Sequence, residues 1–357
     1  MARPGHRSLR SHSREWLFCV VTLLALNACG RGEAPVQVNG AVMGTTWNLT
    51  YLSSGTSADA AAVHRGVQAE LDAVNAALST YLDDSEISRF NADHGADWIA
   101  LSADFLTVLE AALQVGRQSG GAYDVTIAPL VDLWGFGPGG PVTSPPAAER
   151  IELLRAQVGQ RHLELDTGRG AARKLSPVSV DFSSLAKGYA VDRAAAWLLQ
   201  QGIENFLLEV GGEMRLSGLS ARGDAWRVAI EQPLPDRRDP AAVVVLSDLA
   251  VATSGDYRNY FEIDGRRYSH TLDPRTGRPV EHDLVSVTVV HPSAMLADAW
   301  ATALAVLGEG AGRTVARDRG LAVYFIHRTA DGFSHSHTPA FEPYLDPDAG
   351  QPGPGGS

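Results

Sequence analysis

Lysine is nearly absent from this chain. Of its 30 Lys and Arg residues only Lys174 and Lys187 are lysines, so a lysine here departs from the chain's habit and asks for a reason. A compact ammonium makes a point contact with a phosphate or a ring edge that a planar guanidinium fork does not reproduce. Cysteine is as scarce, with Cys19 and Cys29 alone, which excludes a multi-disulfide scaffold. Positive charge is in deficit overall: the formal net charge is −11, and nucleic acid is excluded as a partner on that ground. No internal repeat is visible. The N-terminal apolar stretch from Trp16 to Leu26 is too short to span a bilayer comfortably.

That stretch follows Arg3, Arg7, Arg10 and Arg14, a positive n-region, and the two together read as an export signal. Leu26-Asn27-Ala28-Cys29-Gly30 comes next and resembles the lipobox of bacterial lipoproteins. Cleavage before Cys29 removes Cys19 and leaves Cys29 for lipid attachment, so the mature chain has neither a disulfide nor thiol chemistry. The expected organisation is a signal peptide over 1–28, a tether over 29–37, one domain over 38–345 and a disordered Pro/Gly-rich tail over 346–357. The expected location is the periplasmic face of a bacterial membrane, with inner or outer membrane left open.

With 45% hydrophobic residues the chain can bury a large core. Apolar residues at 3- and 4-residue spacing predict helices over 59–78, 103–118, 147–158, 184–201 and 293–307, the last capped by Ser293 and closed by Gly308. Short β-like runs are predicted over 46–52, 206–210, 226–230, 242–246 and 249–253. Hairpins are predicted around Asp264-Gly265 and Asp331-Gly332. Val285, Val287 and Val289 alternate as a half-buried strand. Gly135 through Pro146 is a loop. The pattern fits an α+β domain with mixed, mainly antiparallel sheets flanked by helices.

Several constellations carry chemistry. In Val180-Asp181-Phe182-Ser183-Ser184-Leu185-Ala186-Lys187-Gly188-Tyr189-Ala190 a strand-like run ends at a carboxylate and two serines open a helix bearing Lys187. Backbone amides and the helix dipole favour anions at such a corner; a plain N-cap at Asp181 or Ser183 beside a solvated lysine fits the same letters. Asp298 and Thr302, four apart on one helix face, form a partial shell for Mg²⁺, or else an ordinary helix carboxylate and a threonine bonded to its own backbone. His270, between a hairpin strand and an Asp273-Pro274 turn, suits proton transfer or a turn hydrogen bond. Gly121-Ala122-Tyr123-Asp124 leaves a helix and enters a strand, where glycine lets a ligand approach the backbone. His335-Ser336-His337 reads as surface. Neither the 120–126 segment nor the similar strand exit at 250–257 matches a dinucleotide fingerprint or a P-loop.

Seven motifs follow one another over residues 38–341: Met43-Gly44-Thr45; Leu78-Ser79-Thr80-Tyr81 with Ser85-Glu86-Ile87-Ser88-Arg89-Phe90-Asn91; Gly121-Ala122-Tyr123-Asp124; the Asp181 to Ala190 segment; Glu209-Val210-Gly211-Gly212-Glu213; Tyr268-Ser269-His270 with Asp273-Pro274-x-Thr276-Gly277; and Asp298-Ala299-Trp300-Ala301-Thr302-Ala303. In this order they resemble the ApbE family of FAD:protein FMN transferases. The resemblance implies a single ApbE-like domain. It also implies an enzyme that cleaves FAD, transfers FMN through a phosphoester to a threonine of an acceptor protein and releases AMP. It implies FAD contacts at Met43, Tyr81, Ala122, Tyr123, Asp124, Asp181, Lys187 and Leu272, and Mg²⁺ held by Asp298, Thr302 and the Ser184 backbone carbonyl. Many relatives carry alanine at that last position, a change that a backbone ligand tolerates. His270 is the first candidate to deprotonate the acceptor, with Asp181 the other. The implied acceptors are subunits of membrane redox complexes with a threonine flavinylation motif. Hydrolysis of FAD to FMN and AMP, a non-catalytic flavin-holding lipoprotein and a solute-binding lipoprotein are the competing readings.

Overall fold

An eight-stranded sheet, antiparallel at every ladder, organises the domain. Its spatial order is Val36–Val42, Thr45–Tyr51, Phe206–Val210, Glu213–Ser217, Leu249–Gly255, Leu284–His291, Ala322–Thr329 and Gly332–His337. The computed structural model describes residues 33–234, 239–255, 260–263 and 266–348, which belong to one contact unit. Cys29, the signal segment, the Asp264-Gly265 turn and the tail beyond 348 lie outside the described residues. The first strand begins at Val36, inside the segment expected as a tether. Among the described residues no helix is long and apolar enough to cross a membrane.

Among the described residues seven helices accompany the sheet: α1 Ala60–Leu78, α2 Glu86–Ala92, α3 Ala103–Gln118, α4 Ala128–Leu133, α5 Ala148–Arg155, α6 Ala186–Gln200 and α7 Ala294–Asp318. Their starts follow side-chain chemistry. Asp59, Ser85, Ser102 and Ser293 each accept a backbone amide from the first turn of α1, α2, α3 and α7, satisfying donors that no helix can pair internally. The principal core joins Val67, Leu71, Phe105, Phe182 and Leu198 from the helical layer to Trp47, Leu208, Ala252, Val287 and Phe325 of the sheet.

The other sheet face carries a second core under the Trp226–Glu231 and Pro240–Leu246 hairpin, with Leu216, Trp226, Val244, Val285, Val290 and Ile326. This corrects one expectation. Leu284–His291 is buried along nearly its whole length rather than alternating, because one set of its valines faces the helices and the other faces the hairpin. A third core of Leu130, Trp134, Ile151, Val158 and Leu272 lies under the loops, where Trp134 donates its indole N–H to the Gly277 carbonyl at 2.8 Å.

Three further expectations change. The segment after Gly121 enters a 3₁₀ turn, Val125–Ile127, and then α4 rather than a strand, because Asp124 accepts the Thr126 amide and hydroxyl. Among the described residues the run before Asp181 pairs with no strand; the Asn91 side chain donates to the Val180 carbonyl and accepts its amide. Helix α7 does not end at Gly308 but kinks there at φ 71° and continues to Asp318. A small sheet of Ile99–Ala100, Leu163–Asp166 and Ala171–Lys174 had no alternation long enough to announce it.

Candidate active site

The α6 N-terminus is built without a side-chain cap. Leu185 occupies the cap position, and neither Asp181 nor Ser183 does. Asp181 turns one carboxylate oxygen back to accept both the amide and the hydroxyl of Ser183, and its own amide donates to the Val125 carbonyl at 2.7 Å. The Gly188 amide, which in a longer helix would close on the Ser184 carbonyl, donates instead to Asp298 Oδ2 at 3.2 Å. Among the described residues no hydrogen bond reaches that Ser184 carbonyl. The Ser184 hydroxyl donates to the buried Tyr123 phenol oxygen at 2.8 Å.

Lys187 lies between two buried carboxylates. Its Nζ donates to Glu213 Oε1 at 2.7 Å and stands 3.8 Å from Asp298 Oδ2. Burial disfavours the charge of Lys187, but Asp298 and Glu213 outweigh it and hold its pKa above the ordinary lysine value. Asp298, 6% exposed, is pushed up to about 8 by burial first; Lys187 opposes the shift, Glu213 reinforces it and the Gly188 amide opposes it. Burial likewise raises Glu213. One ammonium thus faces two buried carboxylates, a cluster short of positive charge.

Of the remaining groups, Tyr123 is tied to this cluster through the Ser184 hydroxyl. Tyr123 has its phenol pKa raised, by burial first, and Asp298, Asp181 and Asp124 also act on it. Tyr81, 65% exposed on the α1–α2 connection, is raised by partial desolvation and by Asp181 and Asp132. Met43 and Gly44 form the tight turn between the first two strands, both at positive φ. Ala122 is buried. Asp124 spends its second oxygen on the Gln160 amide, so its carboxylate is occupied by protein. His270 packs edge-on to Phe136 of the glycine-rich loop, ring centroids 6.3 Å apart, while Leu272 belongs to the third core. A small cleft lined by Thr271, Ser254, Ser286 and Ala305 lies between the segment that follows His270 and α7.

Whether these residues suit a divalent cation can be judged from their free valences. Thr302 is half-buried, and its hydroxyl makes no hydrogen bond to its own helix, unlike Thr107 and Thr314. Glu213 Oε2 is buried and has no hydrogen-bond partner among the described residues. Among the described residues no three His, Cys, Asp or Glu cluster as a metal cage. One carboxylate, a hydroxyl and a carbonyl fit Mg²⁺, which keeps water and phosphate as its other ligands.

Sequence reasoning left Glu213 without a role. Its signal was the Gly211-Gly212 pair before it: both glycines have positive φ, and Glu209 holds the turn by accepting the Gly212 amide and the Asn48 side chain.

The ApbE family model matches residues 43–325. The chain belongs to the ApbE family. The FAD:protein FMN transferase of Vibrio cholerae is 43% identical over 332 residues, covering 93% of this chain and 99% of the relative. That of Haemophilus influenzae is 41% identical and covers 91% and 96%. Among solved structures, the flavin transferase ApbE from Vibrio cholerae superposes with a TM-score of 0.81 at 42% identity, covering 87% and 99% of the two chains. The apo flavinyl transferase ApbE of Pseudomonas stutzeri gives 0.81 at 40%, covering 88% and 98%. The α+β fold is therefore that of ApbE proteins.

Proposed function

We propose that this chain is an FAD:protein FMN transferase that cleaves the FAD pyrophosphate, moves FMN to a threonine hydroxyl of an acceptor protein and releases AMP. The observation that carries this reading is the convergence of Lys187, Asp298 and the unpaired Ser184 carbonyl at the α6–α7 contact. Phosphoryl transfer demands positioned charge more than covalent machinery. Lys187, held protonated by its two carboxylates, offers a fixed positive charge to the pyrophosphate. Asp298, Thr302 and the Ser184 carbonyl would hold Mg²⁺. When bound, the ion serves as Lewis acid and template on the phosphoryl oxygens.

Asp181 keeps one oxygen on Ser183 and presents the other to the ribose or adenine of FAD. Met43, Tyr81, Ala122 to Asp124 and Leu272 frame the flavin nucleotide, and His270 takes the proton of the acceptor threonine, with Asp181 the alternative. The acceptors are subunits of membrane redox complexes carrying an Asp-Gly-x-Ser/Thr-Gly-Ala-Thr-like segment. A lipid on Cys29 holds the enzyme at the periplasmic face of its membrane.

The test incubates the chain with FAD, Mg²⁺ and such an acceptor. AMP and a fluorescent acceptor band after denaturing electrophoresis are expected. Free FMN beside a dark acceptor replaces transfer by hydrolysis. Turnover that survives Asp298→Ala removes the metal assignment.

A further inference from the structure

Lys187 is shared unequally. It sits in hydrogen-bond contact with Glu213 at 2.7 Å and 3.8 Å from Asp298, although both carboxylates are buried and within reach. The turn that delivers Glu213 is fixed on several sides. The Gly211 amide donates to the Thr46 carbonyl, and Glu209 accepts the Gly212 amide and the Asn48 side chain, each at 2.7 Å. A Cβ at Gly211 would lie 2.8 Å from Thr45 Cγ2 and 3.4 Å from Lys187 Cδ. The turn therefore packs directly against the lysine stem as well as presenting its counter-ion.

We propose that Glu213 is a positioning residue: it draws the Lys187 ammonium away from Asp298 and so leaves that carboxylate open to a divalent cation. This role rests on the reading of Asp298 as a cation ligand. An ammonium in direct contact with Asp298 would compete with the cation for the same lone pairs. A lysine deprived of the Glu213 charge has Asp298, 3.8 Å away, as its remaining carboxylate partner, and charge-assisted hydrogen bonding drives it there. Glu213 thus separates two positive charges that the site needs side by side, one for the phosphate and one for the metal.

The probe is Mn²⁺ alone, titrated into the purified full chain and followed by the electron paramagnetic resonance of the free ion. Circular dichroism of every variant verifies folding. Glu213→Gln keeps the shape and removes the charge, and it is expected to weaken Mn²⁺ binding about tenfold or more, the scale of losses seen when a residue supporting a ligand is removed. Adding Lys187→Met to Glu213→Gln removes the competitor and is expected to restore the affinity to that of Lys187→Met alone. Glu213→Asp should fall between.

Wild-type affinity in Glu213→Gln, with binding abolished in Asp298→Ala, overturns the positioning role and keeps the metal site. Weak binding that persists in the double variant also overturns it, since Glu213 would then ligate the ion through Oε2. A wild-type chain that binds no Mn²⁺ overturns both the site and this role.

Discussion

Gly188 gives its backbone amide to the Asp298 carboxylate across 110 residues of chain, at 3.2 Å. The bond exists because α6 and α7 touch at backbone distance. A Cβ at position 188 would lie 2.3 Å from the Ala294 carbonyl oxygen and 2.6 Å from its carbon, and backbone cannot swing aside as a side-chain tip can.

Gly188→Ala therefore sets two effects against each other. Alanine gains about 1 kcal/mol of helix propensity over glycine, while forcing two packed helices apart costs about 1–3 kcal/mol. The clash is expected to win, with a net loss of stability in urea denaturation. The Mg²⁺ concentration for half-maximal AMP release should rise as the amide withdraws from Asp298. Unchanged stability and unchanged Mg²⁺ dependence would contradict the close contact.

Thr302→Ala should separate site from scaffold in the opposite way. The hydroxyl bonds nothing in its helix, so its loss is expected to change stability by no more than about 0.5 kcal/mol. The Mg²⁺ requirement for FAD cleavage should nevertheless increase. Thr302→Ser, which keeps the oxygen, should restore it. A marked fall in melting temperature with unaltered Mg²⁺ response would make Thr302 structural.

What could be read from the letters follows the range of the interactions. The helix starts at Asp59 and Ser293 and the strand Phe206–Val210 lie within a few residues of their signals, and the chain shows them where expected. Lys187 stood out by rarity alone. Glu213 did not, since its meaning arises when the Glu213–Ser217 strand lies beside α6 and one ammonium meets a second carboxylate. The burial of Leu284–His291 was hidden for the same reason, because a distant hairpin covers the face that alternation would leave to water. Asp124 shows the converse: a motif residue whose carboxylate oxygens are both engaged by Thr126 and Gln160, local geometry that the motif does not reveal.

The second lysine repays the same question as the first. Lys174, 1% exposed, donates its ammonium to the Phe90 carbonyl at 2.7 Å and the Asn91 carbonyl at 3.3 Å, closing the end of α2. Burial lowers its pKa, with Asp93 opposing. Lys174→Met keeps the stem and strips the donor from the buried Phe90 carbonyl and the half-buried Asn91 carbonyl, and it is expected to cost about 1–3 kcal/mol in urea denaturation. Asn91 also holds Val180, the neighbour of Asp181, so the Michaelis constant for FAD should rise while turnover at saturation holds. A stability equal to wild type would show that water replaces the ammonium at no cost.

His291 gives the fold a dependence on mild acid. Its ring Nδ1 accepts the Ser293 amide at 3.0 Å, at the start of α7, a bond that the protonated ring cannot accept. Burial lowers its pKa first, against the Ser293 backbone and Asp192, with Arg215 adding to the decrease; burial lowers His327 as well. For both, the folded chain resists a proton that the unfolded chain takes up near 6.5. The unfolded state therefore binds more protons below that value, and stability falls as pH drops through it toward the depressed folded pKa. Equilibrium denaturation at pH 7.5 and 5.5 should show the loss, and His291→Gln, which does not titrate, should flatten part of it. A variant whose stability falls as steeply as wild type would assign the acid response to other groups.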